Sequence, residues 1–232
     1  MHPALTPLAT TGRHVVSTAY DYNNIGGEKQ DVLCVGRMLD PLTSKIAVAM
    51  ESLGRSQETF EGTCRFLIEA EFEGQVKALT EGMSQVAKNH LRVHINGPIV
   101  IVNGKYLGSI REFESYVGAM YKYKDTTPDG MYTKRAAKAL AAYMQQKEGK
   151  SEFCYMDLYD EAAGQLIKPR VIFELYKGLA PKTTENFLAL CEEGYAGSSV
   201  HRVVKKGWLQ MGAIGDKSIW GDVFEDETFS IK

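Results

Sequence analysis

The chain has no excess of basic charge: Lys and Arg number 27 against 29 Asp and Glu, for a formal net charge of -2. Proteins that neutralise nucleic-acid phosphates carry a strongly basic face, so DNA and RNA are not expected partners. No apolar run approaches the ~20 residues of a membrane helix. The opening Met1-His-Pro-Ala-Leu-Thr6 lacks the positive end and apolar core of a secretory signal, and the expectation is a cytoplasmic protein. Cysteine is sparse, and Cys34, Cys64, Cys154 and Cys191 stand far apart with no Cys-x-x-Cys pair. That spacing predicts buried, reduced thiols in a reducing compartment, with no metal and no cofactor.

What remains is ordinary globular composition, 44% hydrophobic and 24% charged over 232 residues, enough for one or two domains. Residues 1–29 have little apolar periodicity and read as an extended arm that orders on a partner. At Val32-Leu-Cys-Val35 a continuous apolar run predicts a buried parallel strand. Asp40 then caps a helix whose first residue is Pro41, where the missing N–H costs nothing. Leu42, Ile46, Ala49, Met50 and Leu53 share one face, and Gly54 is the expected end. A strand over Cys64–Ala70 follows, then a helix from about Gly74 to Lys88 with Val76, Leu79, Met83 and Val86 on its apolar face. Pro98-Ile-Val-Ile-Val102 and Lys105-Tyr-Leu-Gly108 flank Asn103-Gly104, a two-residue type I′ hairpin signal. Ser109 and Glu112 form a capping box for a helix carrying Ile110, Phe113, Val117 and Met120 or Tyr121 inward.

The order βαβαββα, with Gly97-Pro98 before a strand and Ile99-Val-Ile-Val-Asn-Gly-Lys-Tyr-Leu-Gly108 after it, resembles the thioredoxin and glutaredoxin fold. The resemblance implies a cis proline at Pro98. Redox chemistry in that fold uses a cysteine at the start of the first helix, where the dipole and free N–H groups lower its pKa. Gly36-Arg-Met-Leu-Asp-Pro-Leu-Thr43 stands there instead. Residues 30–123 are therefore expected to be a thioredoxin-like domain without redox cysteines.

Residues 124–150 read as a polar linker and connecting helix, with strong helix formers over Lys134–Lys147 and a narrow apolar stripe of Ala137, Leu140, Ala141 and Met144. Its basic residues read as a solvated face; an acidic surface such as tubulin's is the alternative partner. Over 151–232, Phe153-Cys-Tyr-Met-Asp-Leu-Tyr159 has apolar or aromatic residues in both alternating sets, predicting a strand covered on both sides. A turn over Asp160–Gly164 and a strand over Arg170–Tyr176 follow. Pro181 begins a helix with Thr184, Phe187, Leu188 and Cys191 inward, ended by Gly194.

Phe173-Glu-Leu175, Pro181-Lys-Thr183, Glu185-Asn-Phe187, His201-Arg-Val-Val204 and Gly221-Asp-Val-Phe-Glu-Asp-Glu-Thr-Phe229 together resemble the first half of a cyclophilin, the β-barrel peptidyl-prolyl cis-trans isomerase. The union with a thioredoxin-like domain, and the Trp in Gly207-Trp-Leu-Gln210, resemble the peptidyl-prolyl isomerase-like 6 group. By that resemblance Arg202 holds the position of the arginine that donates to the prolyl nitrogen, and Gln210 that of the glutamine holding the substrate backbone. His201 and Trp208 fall in the substrate pocket. The chain departs from the pattern where Gly207-Trp208 replaces a Phe-Met pair of the proline pocket and Gln210-Met-Gly-Ala213 replaces Gln-Gly-Gly-Asp.

Lys232 falls near the middle of a typical cyclophilin, so the fold expected is a thioredoxin-like α/β domain followed by half a barrel with open strand edges. The functional expectation is a structural or interaction protein with impaired catalysis; the resemblance implies tubulin or other axonemal proteins as partners and a ciliary or flagellar axoneme as its place. An active isomerase whose C-terminal half is missing from this sequence is the alternative. A redox or glutathione-binding protein is disfavoured by the absent cysteine.

Overall fold

Gln30–Arg37 (β1) carries an apolar run over Val32–Val35 and lies inside a sheet, with Val32, Cys34 and Val35 fully buried. It pairs parallel with β2 (Phe60–Leu67) and antiparallel with β3 (Ile99–Val102). With β4 (Lys105–Gly108) the order is β2-β1-β3-β4. The structure, a computed structural model, describes residues 29–94, 96–215 and 218–229. All but the last residue of the arm expected over 1–29 lies outside the described residues. The chain divides into two compact units, residues 1–142 and 143–232.

In the first unit the strongest local signals give the expected elements. Asp40 accepts the Leu42 N–H at 2.9 Å and starts α1 (Pro41–Ser56), which buries Ile46, Ala49, Met50 and Leu53. Leu42 is instead exposed, and Thr43 and Ser44 are the buried residues of that turn. The cause is close approach: a Cβ on Gly36 of β1 would lie 2.1 Å from Thr43 Oγ1, so Thr43 seats where that strand has no side chain. Gly54 does not end α1. The helix runs to Ser56 and the Gln57 N–H returns to the Leu53 carbonyl at 2.8 Å.

The second strand begins earlier than its composition suggests, because its extent follows an unbroken ladder with β1 from Gln30↔Phe60 to Arg37↔Leu67. Residues 69 and 70 belong to the next helix. The single helix expected over 74–88 is two, α2 (Glu69–Glu81) and α3 (Gln85–His94). Ser84 Oγ accepts the Ala87 N–H at 3.3 Å and restarts the helix after Gly82. The break turns Val86 out to solvent while Phe72, Val76 and Leu91 stay buried.

Asn103 and Gly104 both take positive φ, 49° and 74°, as a type I′ turn requires. The Ser109 N–H donates to the Glu112 carboxylate at 2.9 Å and opens α4 (Ile110–Tyr121). Two cores result, one on each face of the sheet. Val32, Ile46, Met50, Leu53, Phe113 and Tyr116 make one. Val35, Leu67, Phe72, Leu91, Ile99 and Ile101 make the other.

The connecting helix α5 (Asp129–Gln146) begins a turn and more before its expected start. Tyr132 anchors it by hydrogen bonds to the Asp125 carboxylate and, at 3.2 Å, to the Thr127 carbonyl. That anchor rotates the stripe: Tyr132 and Ala136 are buried, whereas Ala137 and Ala141 are exposed.

In the second unit β5 (Glu152–Asp160) and β6 (Gln165–Leu175) form an antiparallel hairpin, with Gly164 at φ 63° in its turn. The helix α6 (Pro181–Glu193) follows, then β7 (Arg202–Val203) and β8 (Leu209–Gln210) as a second hairpin. The two hairpins are separate two-stranded sheets rather than a joined barrel wall among the described residues. β5 is covered unequally on its two sides, with Tyr155 and Tyr159 about three-fifths exposed at 61% and 59%. The physical reason is that α6 packs against one face, while the other is met only in places, by the Tyr143 ring against Phe153 and the Arg170 guanidinium over Tyr155. Only Cys34 of the four cysteines is fully buried; the other three are partly exposed. Among the described residues no helix is long and apolar enough to cross a membrane.

Candidate functional site

The short hairpin β7–β8 carries the residues singled out in the sequence. Its turn is tight. The Gly207 N–H donates to the Val204 carbonyl and the Val204 N–H to the Trp208 carbonyl, both at 2.9 Å, while Lys206 takes a left-handed φ of 61°. A Cβ on Gly207 would meet Val204 Cγ1 at 2.9 Å. Glycine at 207 thus leaves room for the Val204 side chain, which a larger residue there would force to shift.

Arg202 and Gln210 are direct register partners, and the His201 N–H donates to the Gln210 carbonyl at 3.1 Å. Side chains directly opposite each other in a ladder share a face, and so does the residue two positions along. Arg202, Gln210 and Trp208 therefore lie on one side of the hairpin, with the Arg202 guanidinium carbon 5.5 Å from the Trp208 ring centroid. Strand alternation sends Val203 and Leu209 to the other side, together with His201. Trp208 is 56% exposed, and Arg202, Gln210 and His201 are exposed as well. Three of the four predicted residues are thus brought together, and His201 is joined to them through its backbone.

A guanidinium over an exposed indole contributes about 0.5–1 kcal/mol. The contact sets the arginine over the exposed Trp208 ring. The arrangement can donate hydrogen bonds from Arg202 and Gln210 to a peptide. Among the described residues no group of three or more His, Cys, Asp or Glu could hold a metal ion. A cavity of about 220 Å³ in the first unit, lined by Lys45, Phe113, Glu114 and Asp125 among others, includes none of the predicted site residues.

Other residues of the quoted strings do scaffold work that sequence reading missed. Glu174 accepts from Tyr143 Oη at 2.7 Å and Ser151 Oγ at 2.8 Å, with Lys147 Nζ 3.6 Å away. Asn186 Oδ1 accepts the Ile219 N–H at 3.0 Å. The Glu227 carboxylate accepts the Lys182 and Thr183 N–H groups at 2.9 and 2.7 Å, capping α6 from the far end of the unit. Desolvation pushes the Glu227 pKa up, but those two backbone donors, together with the Thr183 side chain and the Lys182 charge, hold the carboxyl below its usual range. Ala180, which precedes α6, has no side chain able to cap, and that vacancy was the one local hint of a distant partner.

Residues 162–230 match the family model described as cyclophilin type peptidyl-prolyl cis-trans isomerase/CLD. The human protein named probable inactive peptidyl-prolyl cis-trans isomerase-like 6 is 31% identical over 161 residues, which is 62% of this chain and 50% of that protein. Its mouse counterpart is 32% identical over 163 residues, with 62% and 50% covered. Peptidyl-prolyl cis-trans isomerase D of Kluyveromyces lactis is 39% identical over 93 residues, covering 32% of this chain and 25% of that protein. The chain spans about half the length of the isomerase-like 6 relatives it matches.

Proposed function

From a chain that carries a cyclophilin-type domain and is homologous to the peptidyl-prolyl isomerase-like 6 proteins, we propose a structural or interaction protein in which the isomerase site is kept for binding and impaired for catalysis. The observation that carries this reading is the Arg202 guanidinium lying over Trp208, beside a glycine at 207. Isomerisation must overcome a barrier of ~18–20 kcal/mol set by amide resonance. A cyclophilin lowers it by seating the proline ring in an apolar pocket while arginine N–H groups favour the twisted nitrogen. Here the ring's place against the aromatic wall is taken by the arginine, and Gly207 offers no wall of its own. The human relative's name, probable inactive, supports the same reading.

The test is a protease-coupled isomerisation assay on the full-length protein beside its Arg202→Ala variant. The expected result is a rate no faster than the uncatalysed peptide in either. Turnover that Arg202→Ala abolishes would overturn the proposal. It would favour the second reading, an active isomerase, which the register pairing of Arg202 with Gln210 supports.

The sheet order β2-β1-β3-β4, with one parallel and two antiparallel pairings, supports reading the first unit as a thioredoxin- or glutaredoxin-like domain. Asp40 and Pro41 stand where its redox cysteine would be, so the domain is proposed to dock rather than to reduce. The proposed setting is the axoneme of a cilium or flagellum, reached from the cytoplasm, with tubulin or other axonemal proteins as partners. Localisation of the tagged protein in ciliated cells checks this, and a cytosolic distribution excluding the cilium would refute it.

A further inference from the structure

The four cysteines, widely spaced in sequence, meet as two pairs in the fold. Cys34 and Cys64 are register partners on the parallel strands β1 and β2, and Cys34 is 0% exposed in the core. Cys154 of β5 and Cys191 of α6 are both partly exposed. Their approach follows from a short chain of contacts. Cys154 lies opposite Phe173 in the β5–β6 ladder. The Phe173 ring packs on Phe187 of α6, with centroids 6.3 Å apart. Cys191 follows Phe187 by one helical turn on the same face, which brings it over the strand that carries Cys154. Cys191 is accordingly a neighbour close enough to act on the Cys154 thiol electrostatically.

We propose that Cys154 and Cys191 are an oxidisable dithiol that closes to a disulfide, stapling α6 to β5. A hydroperoxide is the oxidant class. One sulfur attacks the O–O bond, becomes a sulfenic acid and releases water from hydrogen peroxide; the second sulfur then displaces the sulfenic oxygen, which leaves as a second water. Two S–H bonds and one O–O bond are broken, one S–S bond and two O–H bonds form, and two electrons pass from the sulfurs to the peroxide.

Burial, and then the neighbouring Cys191, push the Cys154 thiol up to about 11. A thiol of high pKa is mostly protonated at neutral pH and attacks slowly, so the resting pair is the dithiol. It is also a poor leaving group, so the closed bridge reopens slowly by exchange. These properties describe a lasting staple formed under sustained oxidant rather than a fast sensor. Cys34, sealed from solvent, serves as the internal contrast.

The experiment uses the full-length native protein, reduced, freed of reductant and exposed to hydrogen peroxide. Remaining thiols are alkylated before a non-reducing tryptic digest and mass spectrometry. The expected product is a peptide pair joined through Cys154 and Cys191, lighter by two hydrogens and separated by dithiothreitol. Alkylation of those two cysteines falls together while that of Cys34 is unchanged. In Cys191→Ser the joined pair is absent and Cys154 remains alkylable. Persistent alkylation of both cysteines, a link to Cys64 or to a second chain, or over-oxidation of one cysteine without a link would each overturn the proposal. The wild-type readout stands whether or not a variant folds.

Discussion

Every hydrophobic side chain that is buried among the described residues belongs to the first unit, from Val32 on β1 to Ala136 on α5; the second buries only Ser151 and Thr184. The second unit exposes instead Tyr155, Tyr159, Trp208, Val223 and Phe229. The two halves are thus held by different physics. In the first, a four-stranded sheet has helices against both faces, and apolar burial is the main stabilising contribution. In the second, side-chain hydrogen bonds and ion pairs do much of the joining: Glu174 to Tyr143 and Ser151, Glu227 to the start of α6, and Arg170 in a two-pronged pair with Asp157. A short polar contact can be recognisable in sequence and still stabilise little, because exposed pairs are screened and each contributes ~0–1 kcal/mol.

Truncating one phenylalanine in each unit puts the contrast to its hardest test. Phe113 is 1% exposed and packs with Tyr116 and Leu53, so Phe113→Ala should cost about 3–5 kcal/mol. Urea unfolding followed by far-ultraviolet circular dichroism measures it. Phe187 is only partly buried, beside Phe173 and Tyr195, and Phe187→Ala should cost about 1 kcal/mol, half the lower part of the range for complete burial. Trp208 and Trp220, the only tryptophans of the chain, both lie in the second unit, so their fluorescence follows that unit. Equal losses from the two substitutions would break the distinction between the halves.

The same division governs what could be read from the sequence. Elements begun by a local device were legible: Asp40-Pro41 for α1, Asn103-Gly104 for the hairpin, Ser109 with Glu112 for α4, and Pro181 for α6. What depended on a distant partner was not. The start of β2 is set by its ladder to β1, and the stripe of α5 by the reach of Tyr132 to Asp125. The unequal cover of β5 could not be inferred from a strand apolar on both sides, since composition says nothing of what arrives to cover it. At the site, the family resemblance singled out Arg202, Gln210 and Trp208, while the face they share follows from the β7–β8 register. Glu227, 45 residues from the N–H it caps, was hinted at only by the capless Ala180, and the pairing of Cys154 with Cys191 gave no local signal.

A smaller and pH-dependent effect sharpens the polar side of the comparison. Despite the upward push of desolvation, the Thr183 and Lys182 N–H groups hold the Glu227 pKa below its usual value near 4.5. A carboxylate depressed in the folded state stabilises fully above its unfolded pKa, and that contribution is lost as pH falls through the lower, folded value. The helix N-terminus adds to the preference for the charged form. Glu227→Gln should therefore lower the melting temperature at pH 7, with the difference from the parent shrinking as pH falls below 4.5. Melting followed by tryptophan fluorescence across that range measures it. A constant difference at every pH would show that the carboxylate charge contributes nothing to the cap.

The smallest expected effect is the most informative about what covers the second unit. Val203 is 68% exposed and lies on the hairpin face opposite Arg202 and Trp208. Val203→Thr keeps the β-branch that suits a strand and exchanges a methyl for a hydroxyl, so on an open face it should change stability by no more than about 0.5 kcal/mol. On a covered face the same hydroxyl would be buried, and without a partner it would cost about 1–3 kcal/mol. Chemical unfolding of the full-length protein and of this variant, read by tryptophan fluorescence, separates the two cases. A loss in the larger range would mean that the face carrying Val203 and Leu209 is packed in the whole protein. The polar character of the second unit would then belong to the described residues alone, and the contrast with the first unit would narrow to what their side chains show.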